Sequence, residues 1–150
     1  MAQTLTRILI HLIFSTKNRV DLITPEIEPE LYPYMGGIAR NLESPALAIN
    51  GTANHVHLLV SLSKNLALSK FLEHLKKDSS IWIKTKGREF ANFHWQDGYG
   101  GFSIGESQVP AVKRYIARQK EHHRTVTFEE EFLAFLKKYN VPYDERYIWR

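Results

Sequence analysis

Two apolar runs with almost nothing between them constrain this chain most. "ALAINGTA" (46–53) and "HVHLLVSL" (55–62) are separated only by Asn54. Extended segments this close in sequence predict a hairpin, and so an antiparallel pair. A third run, over residues 5–14, is almost continuously apolar and predicts a strand in the centre of a sheet.

The spaces between the strands read as helices. Thr24 can cap and Pro25 suits a first turn, so a helix is predicted to open there and run to about Glu43, where Ser44-Pro45 stops it. Its apolar stripe is Ile27, Leu31, Tyr34, Ile38 and Leu42, with Gly36-Gly37 weakening the middle. A second helix over 66–86 carries Leu68, Phe71, Leu72, Leu75, Trp82 and Ile83 on one face and Lys70, Lys77 and Lys84 on another. Short strands and turns are expected through the aromatic, glycine-rich "FHWQDGYGGFSIGES" (93–107). A third helix is expected from 108 to about His122, and a last one over 128–139 with Phe128, Phe132, Phe135 and Leu136. The order is the split βαβ pattern of a ferredoxin-like or RRM-like α+β domain, an antiparallel sheet with helices on one face and a C-terminal helical extension. With no repeat and no linker, residues 1–150 read as one domain.

Composition removes several chemistries. The absence of cysteine excludes disulfides, thiolate metal sites and thiol nucleophiles, and it suits a reducing cytoplasm. No P-loop and no G-x-S-x-G occurs. "RILIHLIF" (7–14) is too short and wrongly flanked for a signal peptide, and no segment has the length of a membrane span. The net charge of +4 permits a polyanionic partner without requiring one.

"NHVHLLV" (54–60) places His55 and His57 on one face of a strand. Burying two imidazoles unpartnered costs on the order of a few kcal/mol. A divalent metal would offset that cost, and so would a hydrogen-bonded structural role. "VKRYIARQKEHH" (112–123) places Tyr115 and Gln119 one turn apart beside an apolar stripe of Val109, Val112 and Ile116. A glutamine there needs a partner, and its amide oxygen is a ligand for Mg²⁺ or Mn²⁺; taken alone, the pair can equally be structural. Together the two motifs fit one chemistry: a divalent ion polarises a phosphate and the phenol attacks phosphorus.

Here the chain resembles the IS200/IS605 family of single-tyrosine HUH transposases (His-hydrophobic-His). "NHVHLLV" matches the family's histidine strand, "FHWQDGYGGFSI" its aromatic segment, and "YIARQ" its Tyr-x-x-x-Gln helix, in the family's order and spacing. The resemblance runs from the first strand to about residue 139. It implies a metal-dependent enzyme that cuts and rejoins single-stranded DNA at hairpin-marked transposon ends. His55, His57 and Gln119 would hold Mg²⁺ or Mn²⁺, and Tyr115 would form a 5′-phosphotyrosine. It also implies a homodimer, with the tyrosine helix of one subunit completing the other's site, at work in the cytoplasm on the nucleoid. The rival readings are a non-catalytic, domesticated single-stranded nucleic-acid-binding protein on the same fold, and a small metallohydrolase.

Further residues are candidates for DNA contact: Lys70, Lys77 and Lys84 as a stripe that can equally be a solvated face, Arg114 and Arg118 beside the tyrosine, and Trp95, Tyr99 and Phe102 as stacking rings, with core packing under a loop an equal reading for Trp95. Gly98, Gly100, Gly101 and Gly105 either hinge the tyrosine helix or make turns. His122 and His123 are placed behind the metal or on phosphate, and Asp78 and Glu129-Glu130-Glu131 on the surface.

Overall fold

The computed structural model describes residues 2–150. Its elements are β1 (Leu9–Ser15), α1 (Glu28–Asn41), β2 (Ala46–Thr52), β3 (His55–Ser61), α2 (Leu68–Lys84), β4 (Gly100–Ile104), α3 (Val109–Ala117), α4 (Gln119–His122) and α5 (Phe128–Lys138). The four strands form one antiparallel sheet in the order β2-β3-β1-β4. This is the ferredoxin-like arrangement, with β1 central as its unbroken apolar run requires.

Both faces of the sheet are covered. Leu12, Phe14, Val56, Leu58 and Val60 point to one side and form the main core with Leu31, Met35 and Ala39 of α1 and Phe71, Leu72 and Leu75 of α2. The buried seam of α1 is therefore Leu31-Met35-Ala39, while Tyr34 sits at the rim with its ring stacked on Trp82. Thr24 does hold the approach to α1, since its hydroxyl accepts from the Ile27 N–H, but regular helix begins at Glu28. On the other side, Ile13 and Phe102 meet Phe128 and Leu136 of α5. Trp149 of the irregular C-terminal tail packs against Phe128 and Phe132. The helical extension thus closes the face that α1 and α2 leave bare.

Two of the three candidate stacking rings are core, which for Trp95 is the alternative the sequence left open and for Phe102 a correction. Trp95 is 4% exposed, packs edge-on against Phe14 and Phe93, and donates its indole N–H to the Ser79 hydroxyl. Phe102 is buried against Phe135 and Tyr139. Their rings come from a segment that has to roof a hydrophobic layer, and burial of that area stabilises more than exposure would allow. Tyr99 stays partly exposed, with the Lys76 ammonium over its ring.

The β2–β3 hairpin is held by a close approach at Gly51, where an added Cβ would fall 2.1 Å from the His55 carbonyl oxygen and 2.9 Å from the Val56 Cα. Only backbone atoms oppose it, so nothing flexible can yield. Gly51→Ala is expected to cost about 2 kcal/mol or more by overpacking. The test is a thermal melt, and a variant melting within a degree of the parent would contradict the strain.

Candidate metal and tyrosine site

Strand pairing sets the floor of the site. In register, Ile13 lies opposite His57 and Ser15 opposite His55, so His11, His57 and His55 share the sheet face that α3, α4 and α5 cover. Both histidines of β3 are fully buried. Five further polar residues close around them from outside the sheet: Tyr115 from α3, Gln119 and His122 from α4, His123 after α4, and Glu131 from α5.

Glu131 is the hub. Its Oε1 lies 2.9 Å from His57 Nε2, 3.0 Å from His123 Nε2 and 3.5 Å from His55 Nε2. Its Oε2 accepts from the Tyr115 hydroxyl and, at 3.2 Å, from the Gln119 amide N–H. His122 Nε2 lies 3.3 Å from both the Tyr115 hydroxyl and Glu131 Oε2. The expectation that Glu131 is a surface residue is therefore overturned: it is 3% exposed, while Glu129 and Glu130 beside it face solvent. An acidic triplet at a helix N-terminus looks like dipole and cap chemistry, and Glu130 does close a capping box with Thr127. The helical phase puts Glu131 on the same inward stripe as Phe128 and Phe135, and that spacing was the available signal. His11 was also missed. Its Nε2 lies 2.8 Å from His57 Nδ1, and its position two residues before the inward-facing Ile13 was the clue.

The third helix is not continuous. It breaks at Arg118, which has φ −101° and ψ 19°. The Asn50 side-chain amide explains the break by donating to the carbonyls of Ile116 and Ala117, at 2.9 and 3.2 Å, which satisfies helix-end acceptors. Beyond the break Gln119 is completely buried and reaches His55, its Oε1 3.1 Å from His55 Nε2.

Hydrogen-bond logic shows that these groups fit a cation. Asn54 Oδ1 accepts only, and it lies 2.9 Å from His55 Nδ1, which places the ring hydrogen on Nδ1. His55 Nε2 then presents a lone pair. Gln119 does not donate to it, because the atom it turns to the ring is Oε1, while its NH₂ faces Glu131 Oε2. Lone pairs of His55 Nε2, Gln119 Oε1 and Glu131 Oε1 converge with no hydrogen between them. His55, His57, His123 and Glu131 each offer one ligand atom, all within 4.8 Å of one another, and could hold a metal ion.

Charge supports the same fit. Burial, assisted by the neighbouring imidazoles, lowers His55 and His11 to about 3, and burial also lowers His57. Burial works to raise Glu131, but hydrogen bonds from His123, His57 and Tyr115 outweigh it and hold the carboxyl well below its usual range. Burial, then Glu131, pushes the Tyr115 phenol well above its usual range. The ionised Glu131 is a buried negative charge, and among the described residues no lysine or arginine pairs with it.

A pH effect follows for the metal-free chain. A base with a depressed folded pKa binds its proton preferentially in the unfolded state, so stability falls as pH drops below about 6.5, the unfolded value, toward 3. The Glu131 shift acts the same way at lower pH, since its contribution is lost as the carboxylate is protonated. His11 and His55 together imply a loss of about 3 kcal/mol between pH 6.5 and 5, the slope per group rising toward 1.36 kcal/mol per unit as pH falls below the unfolded value. Chemical denaturation at several pH values tests this, and a flat profile over that interval would contradict it.

The remaining candidates divide by location. Lys70, Lys77 and Lys84 are exposed on α2, across the sheet from the histidines. Arg114 and Arg118 are exposed and line an open cleft with Tyr115 and His122. Asp78 is half-buried on α2. The glycines give α3 no loose tether: Gly100 and Gly101 lie within β4, and Gln108 Oε1 accepts from the Gly105 N–H at 2.7 Å in the short turn that leads into α3.

Fold and site together define a ferredoxin-like domain that presents a histidine pair on its sheet to a tyrosine on a following helix. The model of IS200-like transposases matches residues 4–119, and the chain belongs to that family. Among solved structures, a transposase candidate from Deinococcus radiodurans R1 is 21% identical, with a TM-score of 0.62 over 79% of this chain and 95% of that one. A REP-associated tyrosine transposase bound to a REP hairpin is 15% identical, with a TM-score of 0.60 over 84% of this chain and 76% of that one. At these identities the likeness is one of fold. No curated protein matches the chain. No helix among the described residues is long and apolar enough to cross a membrane.

Proposed function

We propose that this transposase cleaves and rejoins single-stranded DNA through a covalent bond between Tyr115 and a 5′-phosphate. The observation that carries the reading is the meeting of the Tyr115 hydroxyl with the buried His55, His57 and Glu131 cluster. His55, His57 and Gln119 would hold a divalent ion, Mg²⁺ or Mn²⁺, which supplies Lewis-acid polarisation of the scissile phosphate.

The chain's own groups do the rest. Glu131 Oε2 orients the phenol and can take its proton as the phenol oxygen attacks phosphorus. The bond to the 3′ oxygen breaks, and that oxygen leaves with the electron pair and takes a proton from water. The ester energy stays in the phosphotyrosine, so the reverse attack by a 3′-OH rejoins strands without nucleotide hydrolysis. Arg114 and Arg118 stand where they can pair with phosphates on either side of the tyrosine. Lys70, Lys77 and Lys84 would meet only DNA that wraps round to the far face of the domain.

The solved relative that holds a REP hairpin makes a DNA hairpin the first substrate to try. The family resemblance implies a homodimer with exchanged tyrosine helices. Two features favour a site completed within one chain instead. The turn from β4 into α3 is only four residues long, from Gly105 to Gln108, and Tyr115 meets its own chain's Glu131. The deciding experiment incubates the protein with hairpin-bearing single strands and Mg²⁺ or Mn²⁺ and resolves the products on a denaturing gel. A covalent protein–DNA band supports strand transfer. Hairpin binding without one leaves the non-catalytic DNA-binding reading.

A further inference from the structure

The ligand set that the family resemblance implies, His55, His57 and Gln119, ends at residue 119, where the family match also ends. The cluster does not end there. Glu131 Oε1 stands among three imidazole nitrogens, those of His55, His57 and His123, at 3.5, 2.9 and 3.0 Å. Both late residues are shielded from solvent, the His123 side chain at 10% exposure and the Glu131 side chain at 1%. Each is held from behind. Glu131 Oε2 is anchored by Tyr115 and Gln119, which leaves Oε1 facing the nitrogens, and the His55 ring packs 4.3 Å from that of His123. A buried carboxylate is costly unless a cation compensates it, and among the described residues no lysine or arginine pairs with this one.

We propose that Glu131 and His123, supplied by the C-terminal extension, are ligands of the ion together with His55 and His57, and that this four-donor set holds a transition-metal ion such as Mn²⁺ before any DNA is bound. The inference rests on reading the cluster as the metal centre of the strand transferase. Its chemistry differs from that of two imidazoles and an amide. Neutral donors hold Mg²⁺ poorly and leave the substrate phosphate to complete the site. Three imidazoles with one carboxylate add a full negative charge and favour borderline ions over Mg²⁺, which prefers oxygen and gives up water reluctantly. Gln119 then keeps Glu131 in place through its N–H, whether or not its oxygen also ligates.

The test uses the full chain, stripped with chelator and free of DNA. Mn²⁺ is titrated in while the signal of the free ion is followed by electron paramagnetic resonance, with Mg²⁺ as competitor. One Mn²⁺ per chain is expected, displaced by Mg²⁺ only at about tenfold excess or more. Glu131→Gln keeps the shape and removes the charge. It should weaken Mn²⁺ binding by about tenfold or more, since groups that merely support metal ligands already count on that scale.

Spin-echo modulation on the bound ion counts coordinated nitrogens in the parent protein and does not depend on any variant folding. Three imidazoles support the proposal. Two overturn the part played by His123. A Glu131→Gln protein that binds Mn²⁺ as well as the parent, or better, overturns the carboxylate ligand and makes Glu131 a plug. A parent that binds no Mn²⁺ without DNA overturns the whole inference. The adduct assay on the same preparation separates this from the functional reading. An adduct with no DNA-free Mn²⁺ site removes only the ligand proposal, whereas a Glu131-dependent site with no adduct removes only strand transfer.

Discussion

Tyr115→Phe should bind hairpin DNA and form no covalent adduct at all. The substitution deletes one oxygen and keeps the ring against His11, His57 and Phe135, so the exposed surface of α3 is unchanged. Among the described residues, no other phenol hydroxyl is bonded to the cluster. Glu131 Oε2 loses one donor but keeps the Gln119 N–H, and the stability cost should be about 1–3 kcal/mol, the usual penalty for unpairing one buried acceptor. A melting curve bounds that cost, a binding titration confirms retained affinity, and a denaturing gel reads the adduct. An adduct of undiminished yield in the phenylalanine variant would remove Tyr115 from the chemistry.

The second all-or-none result concerns assembly. His57→Ala and Tyr115→Phe should each be dead, and a mixture of the two should stay dead. If the site is made within one chain, every site in a mixed dimer carries one lesion. If tyrosine helices exchange, half the sites of a mixed dimer carry both lesions and half carry none, so activity returns. The two proteins are co-expressed with different tags and purified through both, which guarantees that mixed dimers are present. Recovered cleavage would establish exchange and would require the turn from Gly105 to Gln108 to open. His57→Ala is the harsher of the two lesions, because it takes the partner of His11 Nε2 and one of the contacts of Glu131 Oε1 away in a fully buried position.

Much of this architecture is legible in the residues. The strands over 46–53 and 55–62 came out within a residue, because a hairpin with apolar alternation has one register that buries its face. The first strand began later than expected, at Leu9, since residues 5–8 extend past the last ladder partner. Periodicity placed α2 and α5 well but could not see that α3 stops at Ala117, because the cause is the Asn50 side chain, 66 residues away from its partner. The site shows the same division. His55, His57, Tyr115 and Gln119 were visible as local spacings. Glu131 and His11 were not, because a carboxylate in an acidic triplet and a histidine in an apolar strand become a site only through tertiary packing. Phe102 failed in the opposite direction: an aromatic beside glycines suggests a stacking ring, yet the layer beneath it needed a roof.

The central position of β1 also bears on how the molecule forms. β1 is the earliest strand in the chain and pairs with β4, so that Leu9 sits opposite Ile104 across 95 intervening steps of sequence. The cluster spans further still, from His11 to Glu131. Contacts between such distant segments close large loops before they return any energy, which slows the search for the native state. The hairpin of β2 and β3 can form early and carry His55 and His57, but their Nε2 atoms meet Glu131 only when the last helix docks. A ribosome that has not yet released residue 131 therefore holds a chain with its histidine motif complete and the cluster around Glu131 unbuilt. Refolding followed by tyrosine fluorescence against far-ultraviolet circular dichroism should show secondary structure ahead of site closure.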